Sequence, residues 1–553
     1  MKYIIAGILL FFSTSALPAG EPLNKKTLII FHFDFNSVAL NENYVRLWLK
    51  KAADMGYNAV LWEVEDKIQW ETCPECVNAD AFSKETFKRI LNFSRQLGLE
   101  PIPLLQTIGH AEYVLRYEKY KPMKEDSTRY DCYCTSKPDV RSFIKKWIAE
   151  YLELFGEIKY FHLGGDEAYA FATCSKCKAE ADKFGENYLY AEYVNDIAKP
   201  LLEKGIRPGI WCDMILKEPE KINYISKDFI IWDWNYWDGC NEPDRVMVWN
   251  KSSRLAKDDI TESIRLQFPE IVNESGKLNP FYTSDALKKL GYDVILCSSS
   301  RSHGDGVFAG RNDIHVDNII GAAQKTVKLN LLGNCVTSWA VRVHNFETQE
   351  PWFYLAPLAI NNPSLSKEEL LVKTSEEIFG VPDAEFFGIA GKVGYSFPFA
   401  NENTTGIMWT GMKDSKPAPE NYIRQMIDRW KNPASNRWNS SSARIKNSID
   451  TISVGISELN EFIKKAKDGK DVLNAWSLAG YFQYWQAIVA KEIVNNEEGK
   501  PDSSAVDIAD ILSSLKTQYV GWAKTWMTPN SAEQNTGLIY DAIQNYFRKS
   551  TVK

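Results

Sequence analysis

The chain is short of positive charge, of histidine and of long apolar runs. Its 65 Lys and Arg are outnumbered by 72 Asp and Glu, for a formal net charge of -7. Without a basic excess there is no electrostatic footprint for nucleic acid. No apolar run reaches the ~20 residues of a comfortable membrane span, so no span is expected in the mature chain. No fixed-period repeat or low-complexity block is present, which argues against solenoids and tail-like segments. Histidine occurs only 6 times in 553 residues, so its placement is informative. The remainder is ordinary: 44% hydrophobic and 25% charged residues, the balance of a globular protein. Aromatics are plentiful, with 18 Trp, 26 Tyr and 27 Phe. Flat rings with polar edges suit sugar faces, but they are also large core fillers, and core accounts for most of them.

The N-terminus has the pattern of a secretory signal. Lys2 supplies a positive charge, residues 3–12 are apolar, and Ser13-Thr14-Ser15-Ala16-Leu17-Pro18-Ala19 offers small residues for cleavage. Cleavage between Leu17 and Glu21 would give an exported protein, periplasmic or secreted; the competing reading is an uncleaved anchor. No cysteine lies near the cleavage region to carry a lipid.

From about residue 27 to 340, strand-like and helix-like segments alternate, the pattern of a parallel sheet with crossover helices. Strands are expected at 27–34, 59–63, 101–106, 158–163, 209–211, 229–232, 293–297 and 334–338. Helices are expected between them, including 44–55 before Gly56, 87–97 before Gly98, 140–155, 189–203 and 318–329. Eight such units fit an α/β chain built as a (β/α)8 TIM barrel; a doubly wound open sheet is the structural rival. After about residue 355 the segments 367–379, 420–430, 445–467, 471–494 and 504–526 read as helices, separated by breaks such as Asn432-Pro433-Ala434-Ser435-Asn436. The expected organisation is a signal peptide at 1–19, a barrel at 25–355 and an α-helical C-terminal domain at 356–553.

Chemistry concentrates at His162-Leu163-Gly164-Gly165-Asp166-Glu167. An apolar strand runs into two glycines, which permit a sharp turn, and then into two adjacent acids. An acid after a strand often caps the next helix. That accounts for one carboxylate, but not for the histidine, the glycine pair and the second acid together. Barrel active sites lie at the C-terminal ends of the strands. Polar and aromatic residues recur at those ends: His32 and Asp34, then Glu63, Glu65 and Asp66, then Gln106 and His110, then the hexad. Trp211 and Asp213, Trp232 and Trp234, and Trp339 follow.

The hexad resembles the signature of family 20 glycoside hydrolases, the β-N-acetylhexosaminidases. Leu61-Trp62-Glu63-Val64-Glu65-Asp66 and Pro103-Leu104-Leu105-Gln106-Thr107-Ile108-Gly109-His110 resemble more specifically the hexosaminidase D branch. The resemblance runs from about Leu28 to Trp339. It implies an exo-acting enzyme that takes a glycan with a terminal N-acetylhexosamine and needs no cofactor. It implies a retaining mechanism without a protein nucleophile, an exception to the two-carboxylate scheme. The substrate's 2-acetamido oxygen attacks the anomeric carbon and forms an oxazolinium. Glu167 is then the general acid and later the base, and Asp166 holds the acetamido N–H. The two acids must start in different protonation states, Glu167 protonated and Asp166 ionised. On the same resemblance His110 and His162 position the acid pair. Trp211, Trp232 and Trp339 line the sugar and acetamido pocket, Asp213 follows the first tryptophan, and Glu63 and Asp34 bind hydroxyls, with His32 and Gln106 beside them. Better-known branches hold the 3- and 4-hydroxyls with an arginine on the first strand. Here that strand reads Phe31-His32-Phe33-Asp34, which leaves the choice between gluco and galacto sugars open.

Ten cysteines form a second pattern, with pairs Cys73/Cys76, Cys132/Cys134 and Cys174/Cys177 in loops at the expected active face. Two C-x-x-C pairs, Cys73/Cys76 and Cys174/Cys177, could make a structural zinc site that ties two loops together. Disulfides compete in an exported chain, and unlinked thiols are the third reading. Three functions stand at this point: the substrate-assisted hexosaminidase; a retaining glycosidase with Asp213, Asp233 or Glu63 as nucleophile; and a non-catalytic glycan-binding protein. The residues assign no oligomeric state.

Overall fold

The computed structural model describes residues 27–36, 38–339, 345–398, 422–500 and 508–550. The expected signal segment lies outside them. Ten strands are present among the described residues: β1 (Leu28–Asp34), β2 (Ala59–Glu63), β3 (Glu100–Leu104), β4 (Tyr160–His162), β5 (Arg207–Trp211), β6 (Ile230–Trp234), β7 (Arg245–Val248), β8 (Ser253–Ala256), β9 (Asp293–Arg301) and β10 (Gly333–Ser338). Eight of them close a parallel barrel in the order β1-β10-β9-β6-β5-β4-β3-β2. This is the expected TIM barrel, and closure excludes the open sheet. The antiparallel pair β7–β8 is an unforeseen excursion between β6 and β9.

Strand alternation decides which residues face the barrel axis. Ile30, Ala59, Leu61, Ile102, Leu104, Trp211, Ile230, Trp232, Ile295, Cys297 and Cys335 form one apolar cluster inside the barrel. Their neighbours Phe31, Phe33, Val60, Trp62, Phe161, Ile231 and Val336 pack outward in the larger core. Continuing that alternation past the apolar layers points the last residue of each strand from β1 to β6 inward. Register keeps those ends level: Asp34 pairs with Glu63, Glu63 with Leu104, Leu104 with His162, and Trp211 with Trp232. The crossover helices are set by local signals. The helix Glu42–Met55 starts at Asn41, whose side chain accepts the Tyr44 N–H at 2.8 Å, and stops at Gly56 with φ 103°.

After β10 the structure is helical: Glu350–Asn361, Lys367–Phe379, Glu385–Val393, Tyr422–Lys431, Trp438–Lys465, Lys470–Glu497, Ile508–Ala523 and Pro529–Ser550. These helices bind the barrel at its loops. Asn41 N–H donates to the Trp526 carbonyl at 2.9 Å, and Thr528 N–H to the Ala39 carbonyl at 2.9 Å. Phe308, after β9, stacks on Phe482 at 5.5 Å. No helix among the described residues is long and apolar enough to cross a membrane.

Candidate active site

The β4 exit is built on two glycines. Gly164 and Gly165 have φ of 61° and 89°. A Cβ on Gly164 would sit 2.2 Å from Gln106 Oε1, and one on Gly165 2.4 Å from the Tyr190 hydroxyl. Both the turn and the space therefore require glycine. Glu167 follows at φ 43°, and His110 and Glu65 stand at 53° and 38°. Left-handed backbone is costly for such residues and recurs where geometry is imposed by function. The neighbouring loop is locked to this turn. Thr107 Oγ1 donates to the Leu163 carbonyl at 2.6 Å, and a Cβ on Gly109 would fall 2.1 Å from the Asp166 carbonyl oxygen.

The lock sets His110 against both acids. Its Nε2 lies 3.3 Å from Asp166 Oδ2 and 3.5 Å from Glu167 Oε2. Burial alone would depress the imidazole, but Asp166 and then Glu167 hold it well above its ordinary value, as an imidazolium. Asp213 grips the pair from β5. Its Oδ2 accepts the Glu167 backbone N–H at 3.0 Å and its Oδ1 the Trp234 Nε1–H at 3.3 Å. Burial, with Asp166 nearby, pushes the Asp213 carboxyl up to about 7. Asp166 Oδ1 and Trp211 Nε1 are buried and have no hydrogen-bond partner among the described residues. Glu167 is the more open acid, with its side chain 32% exposed.

A second acidic group stands at β2. Glu63 Oε1 accepts from Gln106 Nε2 at 2.9 Å, and its Oε2 lies 3.3 Å from His32 Nε2. Glu65 accepts from Asn36 Nδ2 at 3.1 Å, and its carboxyl is pushed up by burial and by Glu63. Asp34 accepts the Asn36 N–H at 2.7 Å, within its own loop. The floor is aromatic. The His162 ring lies 4.3 Å from Trp211 and 4.7 Å from Trp232, and Trp339 is 5.7 Å from Trp211 and 4.9 Å from His32. His162 is fully buried there, and its Nδ1 accepts the Gly164 N–H at 2.9 Å. It touches the turn that carries the acids, whereas His110 faces the acids themselves.

Two aromatic hydroxyls escaped the sequence reading. Tyr236 accepts the Trp339 Nε1–H at 2.7 Å, and Tyr169, half exposed, lies beside Glu167. The run Trp234-Asn235-Tyr236-Trp237 just past β6 was the available signal for Tyr236. Asp233 is turned away from the mouth: it accepts from Thr283 Oγ1 at 2.9 Å and from Ser284 Oγ at 2.5 Å. Of the three readings of these pairs, the zinc site joining Cys73/Cys76 to Cys174/Cys177 is not formed, and a disulfide is present at the first pair. Cys73 and Cys76 are bonded to each other, and Cys174 and Cys177 meet Cys134 instead. Strand order explains the correction, because the loop after β3 stands between those after β2 and β4.

Residues 45–257 match the glycosyl hydrolase family 20 catalytic domain. Over that stretch the barrel is similar to a family 20 catalytic domain. Among its relatives are hexosaminidase D of Bos taurus, 32% identical over 171 residues, which are 30% of this chain and 49% of that protein. Lacto-N-biosidase of Bifidobacterium bifidum is 27% identical over 224 residues, 38% of this chain and 19% of that protein. The matches thus span between about a fifth and a half of these relatives' own lengths. Among solved structures, the chitobiase of Flavobacterium johnsoniae aligns over 93% of this chain and 78% of its own, at 14% identity and a TM-score of 0.45. A likeness at that level decides nothing about chemistry.

Proposed function

We propose that the barrel removes terminal β-linked N-acetylglucosamine or N-acetylgalactosamine from glycans, acting from the chain end with retention, through the substrate's own acetamido group. The observation that carries this reading is the Asp166–Glu167 pair on its glycine turn, with His110 against both carboxylates and a buried tryptophan floor beneath. Asp166 Oδ1, without a protein partner, is placed to accept the acetamido N–H and to stabilise the positive charge that develops as its oxygen attacks. Glu167, the more open acid, protonates the leaving oxygen and afterwards takes a proton from water. Its backbone N–H is fixed by Asp213, and its side chain by His110. Trp211, Trp232 and Trp339 enclose the acetamido methyl and the sugar face.

A protein nucleophile fits less well. Asp233 is held by Thr283 and Ser284 outside the mouth, Asp213 by two N–H donors, and Glu63 by Gln106 and His32. The test is hydrolysis of the p-nitrophenyl β-glycosides of GlcNAc, GalNAc, glucose and galactose by the native protein and by Glu167→Gln. Release from the acetamido sugars alone, lost in the variant and blocked by an N-acetyl-thiazoline, is expected. Release from the plain sugars would move the reaction to a protein nucleophile, and binding without release would leave a glycan-binding protein. The GlcNAc-to-GalNAc ratio measures what a first strand without arginine tolerates. Export is part of the proposal and rests on the apolar and small-residue pattern of residues 3–19. N-terminal sequencing of protein recovered outside the cytoplasm tests it.

A further inference from the structure

Apart from the acid pair, one cluster of ligating side chains stands out. Cys134 Sγ lies 3.8 Å from Cys174 Sγ and 3.7 Å from Cys177 Sγ, and Cys177 Sγ lies 3.4 Å from Glu125 Oε2. All four ligand atoms fall within 4.8 Å of one another, and only Cys174 is not fully buried. Thiolates about 2.3 Å from a tetrahedral zinc stand about 3.8 Å apart, and about 3.5 Å from a carboxylate oxygen on the same metal. The observed spacings match that geometry. We propose that Cys134, Cys174, Cys177 and Glu125 form a structural zinc(II) site that fastens the loop after β3 to the loop after β4.

The surroundings favour a cation over a disulfide. Cys134 is almost equidistant from the other two sulfurs, and any one disulfide among three thiols strands the third beside a buried carboxylate. A metal uses all four groups. Binding sends the three thiol protons to solvent and leaves a negatively charged site. The helix Ser175–Phe184 offsets that charge, because Cys174 is its N-cap and Cys177 lies in its first turn. The ligands are held from behind. Cys174 N–H donates to Glu125 Oε1 at 3.0 Å and Cys177 N–H to Cys174 Sγ at 3.4 Å. Glu125 and Cys134 sit on a short turn closed by Glu125 N–H to the Cys132 carbonyl at 2.9 Å and Cys134 N–H to the Met123 carbonyl at 2.8 Å. Cys132 is no ligand, since its thiol is turned to the Tyr133 carbonyl. The two fastened loops carry His110 on one side and Asp166 and Glu167 on the other, so the site would hold their spacing. The assignment stands whether or not the acid pair hydrolyses acetamido sugars.

The test is elemental analysis of the full chain purified from zinc-supplemented culture, with alkylation mapping of its cysteines. The expected result is about one zinc per chain, with Cys134, Cys174 and Cys177 reduced and protected until a chelator is added. Cys134→Ser and Cys177→Ser should each lose most of the metal. Should those variants fail to fold, cobalt(II) exchanged into the native protein gives a second readout: thiolate-to-cobalt charge transfer and tetrahedral d–d bands. A metal-free protein with Cys134 disulfide-bonded to Cys174 or Cys177 would overturn the proposal. So would three thiols that alkylate at once in a protein that takes up neither zinc nor cobalt.

Discussion

Two groups of acids stand at the barrel mouth, with one strand, β3, between them, and differ in who holds them. Glu63 and Glu65, at β2, are buried and engaged by His32, Gln106 and Asn36. Asp66 beside them is paired with Lys67. Asp166 and Glu167, at β4, are held by backbone turn and by His110 but keep atoms free: Asp166 Oδ1 has no partner among the described residues, and Glu167 is partly open. Charge does not separate the groups, and each keeps one buried oxygen without a hydrogen-bond partner among the described residues, Glu63 Oε2 and Asp166 Oδ1. What separates them is opening: the Asp166 and Glu167 side chains are 10% and 32% exposed, that of Glu63 2%. A carboxylate sealed in the wall shapes the site, while one that opens to the mouth can meet a substrate.

The comparison breaks most visibly at Glu167. Glu167→Gln keeps the shape and removes the transferable proton, and kcat/KM on the N-acetyl glycosides should fall about 10²–10⁴-fold with an unchanged melting temperature. Asp166→Asn should cost about 10²–10³-fold, because the amide cannot balance the developing charge. Retention of more than half the native rate in either variant would dissolve the distinction between the two groups. His110→Ala comes next, at up to about 10²-fold, through misplacement of the pair. It should also alter stability with a defined sign. The imidazole is held above its unfolded value of about 6.5. The stabilisation it gives is complete below that value and is lost as pH climbs through the higher folded one. The variant's melting temperature should therefore lag the native one at acid pH and approach it at alkaline pH.

Glu63→Ala sharpens the contrast from the other side. It strands Gln106 Nε2 in a buried wall, which costs about 1–3 kcal/mol of stability, measured by denaturant unfolding. Its loss in rate should appear mainly in KM. A rate loss matching that of Glu167→Gln, at native stability, would place Glu63 among the reacting groups.

The barrel was legible because its strands are buried on both faces and read as apolar runs, with Gly56, Gly98 and Gly205 ending the helices before β2, β3 and β5. Strand β9 was foreseen to 297 but continues to Arg301, because Ser298-Ser299-Ser300 carries no apolar signal. The β7–β8 ribbon was missed because its strands are short and half exposed, leaving little pattern to read. The helices Glu385–Val393 and Pro529–Ser550 were missed as well; the first is short and glycine-bearing, and the second opens on Pro-Asn-Ser, which reads as a turn. The acid pair was legible because two glycines before two acids have no simple packing use. Tyr236 was not, because a tyrosine in a loop has no period. Nor was Glu125 as a neighbour of Cys134, Cys174 and Cys177, since that depends on which loops the barrel sets side by side.

The smallest and most specific effect is expected at Asp213, which belongs to neither group and links the β4 pair to the tryptophans. Its carboxyl ionises near 7 in the folded protein but near 4 in an unfolded chain. Between those values the folded state binds the extra proton, so this group's contribution to stability falls as pH rises from about 4 to about 7 and is flat above. Burial, with the Asp166 charge, is the cause. Asp213→Asn removes the titration, so the variant's melting temperature should lose that downward slope. The carboxylate also accepts two N–H donors, from the Glu167 backbone and from Trp234, and protonation weakens one of them. The native kcat/KM should therefore inflect near pH 7, and the variant should lack that inflection while keeping activity within about tenfold of native, the scale of one neutral hydrogen bond. An inflection that persists in Asp213→Asn would assign it to another group of the site.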